Sequence, residues 1–205
     1  MKIHITQMSQ DHVRPAVDVH MRSFQTFFLT FLGPAFLREF YASFVVDEEG
    51  IGVVAMNDTG ALVGIAVGSV RPEGYFKRLL RRRWWAFCKA SLWAALRRPS
   101  IIPRLFRAMF YRGEAPPGPP RSLLSSIAVE PSQQRGGVGR ALVEAWVAEA
   151  GRRGSKGCFL TTDAEGNDAV NAFYQRLGWT LETSYETPEG RRMNRYVLDF
   201  PQTQE

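Results

Sequence analysis

Between Ser126 and Leu142 the chain reads SIAVEPSQQRGGVGRAL. An apolar run passes through Pro131 and a polar stretch. It then meets Gly136, Gly137 and Gly139 between Arg135 and Arg140, and becomes apolar-periodic from Val138. This is the pattern of a strand handing over to a helix. The N–H groups at a helix start are unpaired and carry a partial positive charge. Glycines just before them let an anion approach without a Cβ in the way, and the two arginines add charge. The chemistry on offer is the binding of a pyrophosphate; the competing use of the same glycines is a plain turn. Two familiar phosphate loops are excluded. No Gly-Lys-Ser/Thr follows at P-loop distance, and Gly137-x-Gly139 lacks the third glycine of the dinucleotide fingerprint.

Metal and disulfide chemistry find little support. The three histidines, His4, His12 and His20, all fall within the first twenty residues. His12 and His20 can share a helix face, but no carboxylate-rich set accompanies them, so no metal is expected. Cys88 and Cys158 lie far apart and outside any C-x-x-C pair. With no apolar leader near the start, a reducing cytoplasm is the expectation.

The elements that must position the glycine cluster follow from periodicity. KIHITQM alternates and predicts a half-buried strand; Asp11 offers an N-cap for a helix to about Phe24. A second helix is expected from about Pro34 to Val46. IGVVAMNDTGALVGIAVGSV predicts a hairpin around Asn57-Asp58-Thr59-Gly60. A buried strand at Leu123–Val129 precedes a helix from Val138 to about Arg152. A strand at Gly157–Thr162, a helix at Asp168–Leu177 ending on Gly178, and a hairpin of Trp179–Glu186 with Arg191–Phe200 complete the chain. This order predicts an α/β (α+β) fold with a mixed, mostly antiparallel sheet flanked by helices. Its fourth and fifth strands are parallel, joined by a right-handed crossover. At 205 residues and 45% hydrophobic content, one domain over 1–205 is expected.

VEPSQQRGGVGRAL resembles the acetyl-CoA signature of the GCN5-related N-acetyltransferases (GNAT), Gln/Arg-x-x-Gly-x-Gly/Ala. Gln134, Gly137 and Gly139 fill it, and Val129 and Pro131 match what usually precedes it. Downstream, NDAVNAFYQRLGW is similar to a second family element, an Asn seven residues before a Tyr, then Gly and an aromatic. Asn167, Tyr174, Gly178 and Trp179 stand at those positions. The resemblance is specific over 122–200, weaker over 1–70, and absent over 74–120.

The resemblance implies a GNAT-like sheet splayed between strands 4 and 5, with acetyl-CoA in the gap. Backbone groups of Ile127, Ala128 and Val129 would pair with the pantetheine arm. The loop and helix start, Gln134, Arg135, Gly136, Gly137, Val138, Gly139 and Arg140, would hold the pyrophosphate. Asn167 and Asn171 would meet the cofactor arm beyond strand 5. It further implies direct attack of an amine on the thioester, with an amide near Val129 receiving the developing oxyanion. Tyr174 would protonate the leaving thiolate. Glu130 and Asp163, at the ends of their strands, are both candidates for the base that takes the ammonium proton, and each also fits a solvated strand-end charge. Phe24, Phe27, Phe28 and Phe31 fit either an apolar acceptor pocket or core packing. The expected acceptor is a small-molecule amine or amino sugar. A competing class is a membrane- or nucleic-acid-associated binding module whose acyl-CoA site is degenerate or regulatory.

Charge is unevenly placed. The net charge is +6, yet Lys77–Arg112 holds eleven basic residues and no acidic one, leaving 15 basic against 20 acidic elsewhere. The segment 74–120 is an expected insertion of amphipathic, Trp-bearing helices followed by a Pro/Gly linker, EAPPGPPRS. Four uses fit 77–112: an anionic membrane surface, an anionic acceptor, nucleic acid, or a helical cover packed on the sheet or on a second subunit of a homodimer. Nucleic acid is disfavoured because no base-reading motif is present.

Overall fold

The computed structural model describes residues 2–25, 28–75, 78, 120–187 and 190–201. The expected insertion helices over 77–112 lie almost wholly outside these residues, as do Phe27 and the side chain of Phe28. Seven described strands form one sheet: β1 (His4–Gln7), β2 (Gly50–Met56), β3 (Leu62–Ser69), β4 (Ser122–Val129), β5 (Gly157–Asp163), β6 (Thr180–Glu186) and β7 (Arg192–Asp199). Their order is β1-β2-β3-β4-β5-β7-β6. Every pairing is antiparallel except β4 with β5. The helices are α1 (Val13–Ser23), the single turn α2 (Phe28–Phe31), α3 (Gly33–Val46), α4 (Val138–Arg152) and α5 (Asp168–Arg176).

Local chemistry accounts for most boundaries. The β2–β3 turn has Gly60 at φ +76°, and the Asn57 amide oxygen accepts from the Thr59 and Ala61 N–H groups at 3.1 and 2.8 Å. Pro34 sits in the first turn of α3, where its missing N–H costs nothing. Gly178, at φ +83°, ends α5 in the left-handed conformation. One boundary differs from expectation. Ser9, rather than Asp11, starts the first helical segment: its hydroxyl and N–H both meet His12 Nδ1, at 3.1 and 3.0 Å, across a 3-10 turn at Gln10–His12. Asp11 lies inside that 3-10 turn, and His12, not Asp11, is the residue that precedes α1.

Two cores sandwich the sheet. Val17, Leu37, Phe40, Tyr41 and Phe44 of α1 and α3 pack on Val54, Ile65, Val67 and Ala128. On the opposite face Leu142, Trp146 and Ala150 of α4 pack with Tyr174, Trp179 and Tyr196 against Ile51, Val53, Ala66 and Leu160. The alternation along β2 and β3 feeds both cores, which is why those strands read as continuous apolar runs.

Candidate active site

The central feature is a gap in the sheet. β4 and β5 pair only at Ser122 with Cys158 and Leu123 with Phe159. Beyond that point β4 continues to Val129 along β3 alone. A bulge accompanies the divergence: Val67 pairs with Ser126 but Gly68 pairs with Leu124, so Ser125 is an extra residue in β4. Gly68 is required there, since a Cβ would collide with the Leu123 carbonyl and lie 2.5 Å from Trp146 Cζ2.

The register decides which backbone groups face the gap. Glu130 N–H donates to the Val63 carbonyl at 2.9 Å. Backbone groups alternate along a strand, so Ala128 also turns to β3, whereas Ile127 and Val129 turn toward β5. The Val129 carbonyl accepts from Ser23 Oγ at 2.9 Å and Gln134 Nε2 at 3.3 Å. Of the predicted trio, Ile127 and Val129 present their main chain to the gap, and Ala128 is buried on the α1 side.

The strand then turns through Pro131–Gln133 into the glycine cluster. Arg135 has φ +67° and Gly137 φ +82°, the latter with nothing within 4 Å of where a Cβ would stand. Gly137 is the residue preceding α4, and its carbonyl takes the Ala141 N–H at 3.1 Å. The N–H groups of Val138, Gly139 and Arg140 therefore precede the first intrahelical donor. Gln134, Arg135, Gly136, Gly137 and Arg140 are exposed, and Val138 anchors the turn in the core. This open, amide-rich, doubly arginine-flanked turn at the end of a one-sided strand fits a diphosphate followed by an extended arm.

Asn167 and Asn171 stand across the gap. Asn167 precedes α5 and gives its Nδ2 to Thr162 Oγ1 at 2.6 Å. Asn171 is buried; its Nδ2 reaches the Asp163 and Asn167 carbonyls at 3.0 and 2.9 Å, and its Oδ1 accepts from Asn194 at 3.1 Å. Its amide is thus spent inside the fold. The Tyr174 ring lies edge-on to Phe173 and Trp179, with centroids 5.1 and 5.8 Å apart. No described residue hydrogen-bonds its hydroxyl, and burial pushes the phenol well above its usual pKa. It belongs to the core on the α4 side, where the side chains of Ile127 and Val129 also pack.

The two carboxylates are both held by arginines. Arg22 Nε lies 2.9 and 3.1 Å from the Glu130 oxygens, on the α1 side of β4. Arg191 grips Asp163 Oδ1 at 2.6 and 3.2 Å from the β6–β7 turn. The α1 contribution, Arg22 and Ser23, was missed from sequence; the available signal was the i, i+3 spacing of His20 and Ser23 on one predicted helix face. Phe24 packs against His20 at 4.8 Å between ring centroids, and Phe31 is exposed.

Among the described residues no group of three or more His, Cys, Asp or Glu is placed to hold a metal ion, and no helix is long and apolar enough to cross a membrane. Solved structures share this fold. The ribosomal-protein-S18-alanine N-acetyltransferase from Escherichia coli is 19% identical, with TM-score 0.62 over 100% of this chain and 97% of its own. The PaiA N-acetyltransferase from Thermoplasma acidophilum, solved with coenzyme A, is 12% identical, with TM-score 0.60 over 98% and 100%. An N-acetyltransferase from Staphylococcus aureus is 13% identical, with TM-score 0.59 over 97% and 99%. The model of the acetyltransferase (GNAT) family matches residues 17–179, from α1 past Gly178. A splayed β4–β5 pair, a glycine turn at α4 and this match place the chain in the acetyltransferase (GNAT) family, acyltransferases that use acetyl-CoA.

Proposed function

We propose that this chain transfers the acetyl group of acetyl-CoA by direct attack to the amine of a small molecule or amino sugar, in the cytoplasm. The observation that carries the reading is the one-sided strand: Ile127 and Val129 turn their main chain toward the gap and lead directly into the amide turn at Gly137. In this reading the amides of Val138, Gly139 and Arg140, with Arg135, bind the diphosphate, and Ile127 and Val129 orient the pantetheine arm as an added strand would. Acetyl-CoA supplies the activated thioester. The Val129 N–H polarises the acyl carbonyl, a role worth about 3–4 kcal/mol for a single oxyanion donor.

Proton handling falls to three side chains. Tyr174 keeps its hydroxyl proton across the physiological range, because burial opposes the phenolate. Proton donation to the departing thiolate then depends on placement rather than on acidity. Glu130 or Asp163 accepts the proton of the acceptor ammonium, and each is held by its arginine, Arg22 or Arg191. Asn167 contacts the cofactor arm, and Asn171 orients it by gripping the Asn167 carbonyl. On this reading Asn171 acts through Asn167 rather than on the cofactor itself.

The test is thiol release from acetyl-CoA over a panel of amines and amino sugars, run beside calorimetric titration of acetyl-CoA alone. Binding with acceptor-dependent thiol release is expected. Binding without turnover on any acceptor would mark a binding module. Turnover confined to a protein N-terminus would overturn the small-amine assignment.

A further inference from the structure

We propose that Asn194 of β7 is a positioning residue for the acyl donor: it sets the direction of the Asn171 amide, and that amide closes the β5–α5 loop, 163–167, which presents Asn167 to the cofactor arm. The proposal rests on the functional reading above for what Asn167 touches, and on geometry for the closure of the loop.

The sheet face beneath α5 changes character in one row. Leu160 of β5 and Tyr196 of β7 pack in the α4-side core. Side chains alternate along a strand, so Thr162 and Asn194 lie on that same face. The register sets Thr162 opposite Asn194, and Asn194 opposite Ser184 of β6. An apolar row is therefore followed by a wholly polar one, and the first turn of α5 sits on it through Asn167 and Asn171.

A directed chain of side chains crosses this row. Ser184 Oγ donates to Asn194 Oδ1 at 2.6 Å, and Asn194 Nδ2 donates to Asn171 Oδ1 at 3.1 Å. Asn171 Nδ2 in turn donates to the Asp163 and Asn167 carbonyls at 3.0 and 2.9 Å. The direction is fixed by chemistry. A backbone carbonyl only accepts, so two of them at one end of the Asn171 amide require its NH2 group there. Its oxygen must then face β7, and Asn194 must donate to it. The two carbonyls belong to the first and last residues of the loop, so a single amide holds both of its ends. Gly166 makes the reversal between them at φ +64°. The outer side of the loop is tied to the chain entering β7: Ala164 N–H donates to the Arg192 carbonyl at 2.9 Å, and Arg191 holds the Asp163 carboxylate. Asn171 is buried, so without Asn194 its oxygen is left unsatisfied where water does not replace the partner.

Asn194→Asp keeps the shape and reverses the chemistry. A carboxylate donates nothing, and it would face Asn171 Oδ1. The Asn171 amide must then turn over and bring its oxygen against the two carbonyls, which opens the loop. Asn194→Ala removes the donor but leaves the Asn171 NH2 group in place, and it serves should the first variant fold poorly. The measurements are residue-resolved amide exchange, and affinities for acetyl-CoA and for ADP, which carries the diphosphate without the arm. Exchange at Ala164 and Asn171 should be faster by about tenfold in Asn194→Asp and about threefold in Asn194→Ala, with Val54 and Trp146 unchanged. Acetyl-CoA binding should weaken by about tenfold and about threefold respectively, while ADP binding stays within about twofold. Shape alone would rank the two variants the other way, because alanine is the larger truncation. Unchanged loop exchange in both variants, the reverse ranking, or an equal rise at Val54 and Trp146 would overturn the closure. Loop-selective exchange with acetyl-CoA affinity intact, or equal weakening of both ligands, would overturn its part in holding the acyl donor. If the unaltered chain binds no acetyl-CoA, the functional reading fails on that result, and the exchange pattern still decides the closure.

Discussion

Burial acts on Tyr174 and His20 through one cost, the removal of a charge from water, and moves their pKa values in opposite directions. The phenol is pushed up and stays neutral, while the imidazole is pulled down to about 4 and stays neutral as well. Neutrality suits a proton donor at Tyr174 and disqualifies His20 as a charged partner of the acceptor. Tyr174→Phe keeps the ring packing with Phe173 and Trp179 and removes only the transferable proton. It should lower kcat by about 10²–10⁴-fold with acetyl-CoA affinity nearly unchanged, read by steady-state kinetics beside calorimetry. Glu130 and Asp163 are separated by a paired experiment. The Gln or Asn variant of the true base should lose about 10²-fold or more in kcat across pH 6–8, and the other variant should lose mainly the tie to Arg22 or Arg191.

Two elements depend on a single glycine each. Gly137 has φ +82° at the mouth of α4, so alanine there carries the left-handed penalty of about 1–2 kcal/mol. Space is free around it, so the damage should be to the amide turn rather than to the core. Gly137→Val is expected to weaken acetyl-CoA binding by more than about tenfold while the melting temperature falls by a few degrees, as calorimetry and circular dichroism would read. Gly68 has the opposite profile. Its φ is ordinary, but a Cβ would meet the Leu123 carbonyl and Trp146. Gly68→Ala should therefore destabilise by about 2–4 kcal/mol, measured by urea unfolding, because the bulge and the α4 core cannot both be kept.

At the scale of the whole molecule, these buried groups set a pH window for stability. His20 binds its proton less readily when folded, so the unfolded chain takes up a proton that the native state refuses. Stability from this source is full above about 6.5 and drains as pH falls toward about 4, by on the order of 3 kcal/mol. Tyr41, Tyr75 and Tyr174 are shifted upward, and Cys158 is raised to about 12. These groups contribute below their unfolded pKa values, from about 9 to 10, and that stability is lost as pH rises past them. Melting temperatures should peak between about pH 6.5 and 9. His20→Gln should flatten the acid limb, and a limb equally steep in that variant would show that other groups govern it.

The glycine turn, the Asn167–Tyr174 spacing and the order of elements were legible in the sequence because they are local. Periodicity marks a strand or helix, a left-handed backbone calls for Gly, and a helix start displays its amides whatever lies around it. Tertiary structure alone decided the rest. The family resemblance implied that strands 4 and 5 splay, but not where: the parting after two pairs accompanies a bulge whose partner, Gly68, lies more than fifty residues away. That Asn171 grips the fold, that Glu130 answers to Arg22, and that His20 meets Tyr41 depend on which faces meet once the helices dock. Side-chain hydrogen bonds act over about 3 Å, and sequence distance carries no record of that separation.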